Sequence, residues 1–429
     1  MSEYLSSGPY RGVRDFYPED AAIQQYIFDT WRTTAESFGF ARYDASVLEP
    51  AELYKAKGAE NEEMVNDQTY TFTDRGDREV TLRPEMTPTV ARMVAGAAAR
   101  RELTFPVRWY SIPNLFRYER MQRGRLREHW QLNCDIFGGD SVAADVEMVA
   151  LASQILTDFG ASPDMFEIRV NNRAVMDEWY DAQGIADAAA QTAITKLNDR
   201  RRKLSDSEYR SALREILGTD HDVDHFIAKL DDTSPLQFAA DSPLCLLTEH
   251  LADLGLTNVL IDKTIARGFN YYTGTVFEIF DTAPENNRSL LGGGRYDNLT
   301  ALFGGEPISG VGFGMGDVTM RDFLETHNLL PQSVTRVVPD LLVIPNDPTL
   351  HHDGQCIAAR FRTAGLRTAV DYSARKLGKK LASASDRGVT RVLVFGADEL
   401  ASGTFTVKNL ADGAERSGTL ETLLAELSA

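Results

Sequence analysis

Cysteine is scarce in this chain. Only three cysteines occur in 429 residues, and Cys134, Cys245 and Cys356 lie far apart without forming a C-x-x-C pair. This spacing predicts neither a disulfide framework nor a zinc site, and it favours a reducing compartment.

Long hydrophobic runs are also missing. The most apolar helical stretch, residues 90–99, is short and contains Arg92, and residues 1–9 show no basic start followed by an apolar segment. We therefore expect no membrane span and no export signal, and we predict a cytoplasmic location.

Positive charge is in deficit. The chain has 45 Lys+Arg against 63 Asp+Glu, a formal net charge of −18, with 43% apolar and 25% charged residues. This is the balance of an ordinary globular protein, which excludes disordered and fibrous classes, and the length corresponds to about three folding units. Because the acidic excess disfavours general adhesion to nucleic acid, a nucleic-acid partner has to be met by local basic patches.

The first part of the chain is predicted to be an antiparallel sheet covered by helices. Residues 20–38 place apolar side chains at helical spacing, from Asp20 as N-cap candidate to Gly39. Short β-rich runs separated by a polar turn indicate a hairpin, and two longer runs follow it. The predicted strands are 70–73, 79–82, 107–118 and 129–137.

The chain changes character at three later points. Residues 172–232 become helical and highly charged, with a basic cluster at Lys196 and 200–203, which predicts an inserted helical domain. Strand-like, glycine-rich sequence resumes over 259–315, as though the chain re-entered its first domain. After Pro339, strands and helices alternate, which predicts a small α/β domain with a mainly parallel sheet. Its expected strands are 341–344, 367–370 and 391–395, and its expected helices lie near 355–363 and 374–387.

Two neighbouring strands carry the densest polar chemistry. At a period of two, Arg117 and Glu119 share one face of the first strand, and Gln131, Asn133 and Asp135 share one face of the second. The link between the strands carries four arginines around a glycine: Arg120, Arg123, Arg125 and Arg127 around Gly124. A mobile link of this kind suits phosphates, because each guanidinium can donate two parallel hydrogen bonds. A solvated hairpin with salt-bridged edges is the alternative explanation.

Three further clusters extend this polar surface. Residues 83–88 place an acid and a hydroxyl between two prolines, which suits an ammonium ligand, although a helix start capped by Thr87 is the alternative. Residues 267–274 combine one cation, two phenols and two glycines, for which packing beside a strand is the alternative. The glycine runs at 292–297 and 310–316 allow close backbone approach to a ligand, but their spacing fits neither a Rossmann nor a Walker loop.

In their order along the chain and in their residues, these segments resemble the motifs of the histidyl-tRNA synthetases, a family of class II aminoacyl-tRNA synthetases. The resemblance covers nearly the whole chain, and the Arg-Gly-x-x-Tyr-Tyr-Thr-Gly at 267–274 is its most specific signature. The matching segments are the Gly-Val-Arg-Asp at 12–15, the Arg-Pro-Glu tract at 83–85, the Phe-Arg-Tyr-Glu of motif 2 at 116–119, and the two histidine-specific signatures at 267–278 and 292–299.

The resemblance implies an α+β fold built on a six-stranded antiparallel catalytic sheet flanked by helices. It also implies an obligate homodimer that forms partly through the N-terminal helix and strand. The implied domains are a catalytic domain in two parts, 1–171 and 233–330, a helical insertion at 172–232, and a C-terminal α/β anticodon-binding domain at 340–429.

The implied reaction has two steps. The carboxylate of L-histidine attacks the α-phosphate of ATP and releases pyrophosphate, and the terminal adenosine of histidine tRNA then takes the histidyl group. Arg117 and Arg267 are the implied catalytic cations at that phosphate, with Mg²⁺ bound to ATP and no metal held by the protein alone. The other implied residues are Glu119 and Arg125 for ATP, Glu85, Thr87 and Gln131 for the amino group of histidine, Asp135, Tyr271, Tyr272 and Tyr296 for its imidazole, and Arg120 and Gln122 for the tRNA acceptor end.

Two positions depart from the family pattern. Asp135 stands where many members have the longer Glu, so the carboxylate remains but its reach is one methylene shorter. Motif 3, which usually ends Gly-x-Glu-Arg, reads Gly-Asp-Val-Thr at 316–319, so the arginine expected to bind ATP is absent. Arg321 lies nearby in sequence but does not match the motif position.

Two alternative functions share parts of this pattern. A catalytically inactive paralogue acts as the regulatory subunit of ATP phosphoribosyltransferase, but it resembles only the catalytic part and typically loses the signature arginine, whereas this chain has Arg267 and continues past Pro339. The other alternative is a synthetase-like ligase for a small molecule. The basic helix carrying Arg375, Lys376, Lys379 and Lys380 weakly disfavours that reading.

Overall fold

The chain divides into two compact units, Met1–Gln332 and Ser333–Ala429. The computed structural model describes residues 5–55, 68–139, 141–201, 204–218, 221–265, 271–286, 288–331 and 338–428. Within these ranges no helix is both long enough and apolar enough to cross a bilayer.

The first unit mixes short strands with helices. In chain order its elements are α1 (Pro18–Ser37), β1 (Ala41–Arg42), β2 (Leu48–Pro50), α2 (Glu52–Lys55), β3 (Tyr70–Thr73), β4 (Glu79–Leu82), α3 (Thr87–Ala99), β5 (Val107–Ser111), β6 (Asn114–Phe116), β7 (Glu128–Phe137), α4 (Val142–Asp158), β8 (Phe166–Asn172), α5 (Arg173–Ala182), α6 (Ala188–Asp199), α7 (Asp206–Leu217), α8 (Val223–Asp231), α9 (Pro243–Asp253), β9 (Val259–Ile261), β10 (Thr275–Asp281), β11 (Ser289–Tyr296), β12 (Gly310–Gly316) and α10 (Asp317–Thr326).

A nine-stranded sheet organises this unit in the order β1-β5-β7-β12-β11-β10-β8-β9, with β6 paired to β7. Six neighbouring strands of this order, β5-β7-β12-β11-β10-β8, all pair antiparallel. The short edge strands β1 and β9 pair parallel to β5 and β8. The expected six-stranded antiparallel sheet is therefore the centre of a larger mixed sheet. A separate three-stranded sheet, β2-β4-β3, contains the expected hairpin.

One face of the large sheet forms the main hydrophobic core. Alternate residues of β7 and β12 are buried there: Leu132, Cys134, Ile136, Val311, Phe313 and Met315. Apolar side chains of α1, α4, α9 and α10 cover them, as with Trp31 and Phe323, both fully buried. Each such side chain contributes about 1.5–3 kcal/mol of burial free energy. Because successive residues of a strand point to opposite faces, this burial turns the intervening residues to the other side of the sheet.

Two sequence predictions in this unit need correction. The first helix begins at Pro18 with Tyr17 as its N-cap, so Asp20 is not the N-cap residue. It lies in the first turn, where its negative charge interacts favourably with the helix dipole. The long strand expected at 107–118 is two strands, β5 and β6, because Pro113 has no N–H to donate to a ladder. Arg117 and Glu119 therefore follow β6 in irregular backbone and do not share a strand face.

The segment predicted to be helical, 172–232, contains the four helices α5 to α8. These helices enclose a hydrophobic core of their own, which includes Trp179, Tyr209 and Phe226. In the basic cluster, Arg201 forms an ion pair with Asp231, and Arg202 and Lys203 lie outside the described residues.

The second unit has the expected α/β alternation. Its elements are β13 (Leu341–Pro345), α11 (His351–Thr363), β14 (Thr368–Val370), α12 (Leu377–Asp386), β15 (Arg391–Phe395), α13 (Ala397–Ser402), β16 (Phe405–Asn409), β17 (Glu415–Gly418) and α14 (Leu420–Ser428). The sheet order is β14-β13-β15-β16-β17, parallel over the first three strands and antiparallel over the last two. The sequence analysis missed the two antiparallel strands.

The exposed basic surface predicted at residues 375–380 is smaller in the structure, because one of its four basic residues is buried. Helix α12 begins at Leu377, and Lys380 is buried, with its ammonium donating to the Pro345 carbonyl at 3.3 Å and lying 3.5 Å from Asp371. The Lys380 side chain therefore makes contacts inside the unit and is not part of its exposed basic surface. Arg375, Lys376 and Lys379 remain exposed.

Candidate active site

A cleft of about 790 Å³ opens on the sheet face opposite the main core. Its floor includes Gln131, Gly292, Gly314 and Gly316, and its walls come from the link before β7 and from the helical insertion. Of the residues proposed from the sequence, four line it: Arg117, Glu119, Arg125 and Gln131.

The glycines of β12 leave room for the polar side chains of β7. In the register of the two strands, Gly312 lies opposite Asp135 and Gly316 opposite Gln131. A methyl group on Gly312 would overlap the Asp135 carboxylate, and one on Gly314 would lie 2.7 Å from Gln131 Cδ. The segment 310–316, in which glycine alternates with apolar residues, is thus a strand. Its glycines leave one face without side chains, and its apolar residues pack into the core on the other.

The same arrangement continues toward β11. A methyl group on Gly310 would lie 2.5 Å from the Tyr296 ring, and one on Gly294 would lie 2.7 Å from the Tyr272 ring. Both rings therefore occupy the space that a β-carbon on the neighbouring glycine would fill. Bare backbone under side chains is what a sheet needs if it is to bind a ligand on its face.

Two arginines face the cleft from the segment between β6 and β7. Arg117 Nε donates to the Pro84 carbonyl at 2.9 Å, and Arg125 Nη1 donates to Glu119 Oε2 at 2.8 Å. These contacts orient the two guanidinium groups but leave further N–H groups of each available to an anion. Arg120 and Gln122 are exposed on the same link and are not among the described residues that line the cleft.

The N-terminal segment fixes the start of β7. Arg127 N donates to the Gly12 carbonyl at 2.7 Å, and Arg14 Nη2 donates to Asp317 Oδ2 at 2.6 Å. The buried Asp317 also accepts from Trp130 N at 2.9 Å, which ties β7 to the first turn of α10. Burial raises the pKa of Asp317, and the Arg14 guanidinium opposes that rise.

A buried cluster of phenols and carboxylates occupies the other end of the polar face. The Tyr296 hydroxyl donates to Asp135 Oδ1, and the Tyr271 hydroxyl donates to Glu85 Oε2 at 3.2 Å. The ring centre of Tyr271 lies 4.8 Å from that of Tyr272 and 5.9 Å from that of Tyr296. Five of the residues proposed for histidine binding are thereby brought together.

Thr87 occupies the first position of α3, two residues after Glu85. Its side chain caps no backbone N–H, since Met86 is the N-cap residue, so the alternative of a Thr87 cap is wrong. Arg267 lies outside the described residues, within 266–270.

Asp135 has an electrostatic environment unlike that of a surface carboxyl. Burial raises its pKa to about 7, and the hydrogen bond from Tyr296 only partly offsets this. Its Oδ2 is buried and has no hydrogen-bond partner within the described ranges. An unpaired buried acceptor costs free energy, which a ligand N–H can recover.

His129 is a cleft residue that the sequence analysis missed. Burial, with the charges of Arg117, Arg14 and Arg125, lowers its pKa to about 3, so the ring is neutral. The same period of two that singled out Gln131 places residue 129 on its face, so the signal was present. A neutral ring beside arginines offers a stacking surface next to a phosphate site.

The end of motif 3 has no cation at the expected position. Thr319 Oγ1 donates to the Leu290 carbonyl at 3.2 Å and lines the cleft. Arg321 is paired with Asp20 at 3.0 Å and with Glu325 at 2.8 Å, and it is not part of the described cleft lining.

Comparison with known proteins agrees with this geometry. The family model described as histidyl-tRNA synthetase matches residues 12–317, and one described as an anticodon binding domain matches residues 340–429. A histidine–tRNA ligase of Leptospira biflexa is 41% identical over 419 residues, covering 95% of this chain and 94% of the relative. A histidine–tRNA ligase of Thermoplasma volcanium is 37% identical over 426 residues, covering 96% of each.

A solved structure shares the fold. The crystal structure of histidyl-tRNA synthetase from Nostoc superposes with a TM-score of 0.76 at 23% identity, covering 99% of both chains. The positions of the motifs, the polar face of the sheet and the full-length relatives all indicate the same family. The chain belongs to the histidyl-tRNA synthetase family.

Proposed function

We propose that this chain ligates L-histidine to the 3′ end of histidine tRNA through a histidyl-adenylate made from ATP. The observation that carries the proposal is one polar sheet face with arginines at one end and a buried carboxyl–phenol cluster at the other. Gln131 and Asp135 are four residues apart on β7, which places them about 13 Å apart. The ammonium and imidazole groups of histidine can therefore lie between these two side chains, and the arginine-bearing link, which precedes β7, can hold the triphosphate beyond Gln131.

The arginines supply charge to the first step. An oxygen of the histidine carboxylate bonds to the α-phosphorus of ATP, and the bond to the pyrophosphate oxygen breaks. Arg117 and Arg267 act at the α-phosphate, where negative charge builds up, and Arg125 holds the far end of the triphosphate with Glu119 orienting it. No protein nucleophile is needed.

We infer that Mg²⁺ enters with ATP. Glu119 and Glu278 line the cleft and offer the oxygen ligands that Mg²⁺ takes together with substrate phosphates. Over the described ranges no group of three or more His, Cys, Asp or Glu side chains could hold a metal ion by itself. When bound, the ion would neutralise phosphate charge.

Histidine is recognised by the buried cluster. Asp135 Oδ2 accepts an imidazole N–H, with Tyr296 holding the carboxyl in place and Tyr272 packing beside it. Glu85, Thr87 and Gln131 receive the ammonium group, and Tyr271 positions Glu85. A side chain without an N–H would leave Asp135 unpaired, so it would be strongly rejected.

Transfer RNA meets exposed basic groups. The link before β7 presents Arg120, Gln122 and Arg123 to the acceptor end, and the 340–429 domain presents Arg375, Lys376 and Lys379 near the anticodon. Because the rest of the chain is acidic, tRNA affinity should depend steeply on salt.

The regulatory-subunit alternative is less well supported. The match of residues 340–429 to an anticodon-binding domain and full-length relatives described as ligases both favour the synthetase. The three dispersed free cysteines favour a cytoplasmic site of action.

The function is tested by ATP–pyrophosphate exchange with each amino acid in turn. Histidine alone should drive exchange, because the proposed pocket pairs an imidazole N–H with the buried Asp135 while Glu85, Thr87 and Gln131 hold the ammonium group. Exchange with no amino acid, or none with histidine, would contradict the proposed reaction and favour a regulatory role.

Asp135→Asn should make the free protein more stable at pH 8 while harming histidine use. The raised pKa of Asp135 means that the folded state keeps a proton that the unfolded state loses, so wild-type stability falls as pH rises from about 4 to 7. The asparagine variant lacks this loss, which is at most about 4 kcal/mol, and its advantage should vanish near pH 4. Thermal melts across pH and KM for histidine are the measurements, and a pH-independent stability difference would refute the assignment.

Arg120→Ala with Gln122→Ala should slow aminoacylation of tRNA at least about tenfold and leave histidine-dependent exchange within twofold of wild type. Both side chains are exposed and lie outside the described cleft lining, so ATP and histidine should lose no contact. Arg75→Ala, in an exposed turn of the hairpin, is the matched control for charge. Equal losses in both assays would place the link at ATP.

We also propose a homodimer. The strands β2, β4 and β3 present Leu48, Val80 and Phe72 on one face, and Leu48 and Phe72 are exposed by 48% and 47%. An exposed apolar sheet face is suited to cover by a second copy. Sedimentation equilibrium should give twice the chain mass, and a monomer at micromolar concentration would rule the dimer out.

A further inference from the structure

The ATP site proposed above has two described arginines, Arg117 and Arg125, and no arginine at the end of motif 3. The side chain at that position, Thr319, faces the cleft but carries no charge. Arg321 of α10 forms ion pairs with Asp20 of α1 and with Glu325 of its own helix. A cation that replaces the motif arginine has to come from another element.

Arg288 lies where such a cation is needed. It immediately precedes β11, is half-buried, and lines the cleft together with Thr319 and Gly124. A methyl group on Gly124 would lie 2.9 Å from Arg288 Cδ and 3.2 Å from Thr319 Cγ2. Arg288 and Thr319 thus both pack against Gly124 of the arginine-rich link.

The charge around Arg288 is unbalanced. Within the described ranges no carboxylate lies within ion-pair distance of its guanidinium. Burial lowers its pKa, and the like charge of Arg125 acts in the same direction, with Glu119 opposing. Two cations held together in a partly buried cleft cost free energy that a bound polyanion would offset.

We propose that Arg288 is the third arginine of the ATP site and that its guanidinium binds the β,γ-end of the triphosphate beside Arg125. It does the work of the missing motif 3 arginine from the segment that leads into β11, whereas the motif position itself lies in α10. This inference rests on the proposed function, because it takes ATP to be the anion in the cleft.

Arg288→Ala and Arg288→Gln test the proposal. Both variants should weaken equilibrium binding of Mg-ATP, measured by dialysis, and raise KM for ATP in the exchange assay, each at least about tenfold. KM for histidine should stay within twofold, since the buried cluster is untouched. Arg288→Lys should fall between wild type and the glutamine variant, because it keeps the charge but loses the planar fork.

Arg321→Ala is the matched control, since it removes an arginine of the same region that does not face the cleft. It should bind ATP like wild type. Adding Thr319→Arg to Arg288→Gln should recover part of the ATP affinity, a result that a merely structural role for Arg288 does not predict.

Wild-type ATP affinity in a folded Arg288→Gln variant would overturn the proposal, as would equal rises in KM for ATP and for histidine. Failure of the proposed function is a separate result: wild-type protein would then show no histidine-dependent exchange, whatever Arg288 contributes to binding ATP.

Discussion

The close approach of β7 side chains to the glycine backbone of β12 is the constraint on which the site depends. Gln131 and Asp135 occupy space that any β-carbon on Gly314 or Gly312 would fill. The residues that alternate with the glycines of β12, Val311, Phe313 and Met315, are buried in the main core. One strand therefore provides both the packing that holds the sheet and the bare surface on which a ligand can lie.

Buried ion pairs hold the strands that carry this surface. Arg295, within the Gly-Gly-Gly-Arg-Tyr segment, forms an ion pair of 2.6 Å with Asp145 and donates to the Gly139 carbonyl at 2.8 Å. Arg14 and Asp317 do the same for the start of β7. Removing one partner of such a pair leaves an uncompensated buried charge, which costs about 3–5 kcal/mol. These buried charges thus support the framework of the sheet, and the side chains proposed to bind substrate lie between them.

The polar cluster lowers the stability of the free protein, as expected of the histidine site proposed above. Asp135 is buried with one oxygen that has no hydrogen-bond partner among the described residues, and burial raises its pKa to about 7. Tyr296 satisfies the other oxygen and so limits the free energy that this arrangement costs. A site that is incomplete without its ligand selects for the ligand that completes it.

Strand periodicity predicted the polar face of β7 correctly, because alternation is a local property and one side of the strand meets the core. The break at Pro113 was also local, but the polar pattern of Arg117 and Glu119 concealed it. Other features depend on contacts distant in sequence. Nothing near Lys380 indicates burial against Pro345, and Arg288 belongs to no motif, so only the tertiary structure shows it beside Thr319.

The most direct test of this account is a crystal structure with a non-hydrolysable sulfamoyl analogue of histidyl-adenylate. The imidazole should lie against the buried cluster with a ring N–H within about 3 Å of Asp135, and the sulfamoyl group should contact Arg117. The adenosine should then lie in the cleft near His129. An imidazole bound away from Asp135, or an adenine at the Asp135 end of β7, would contradict the account.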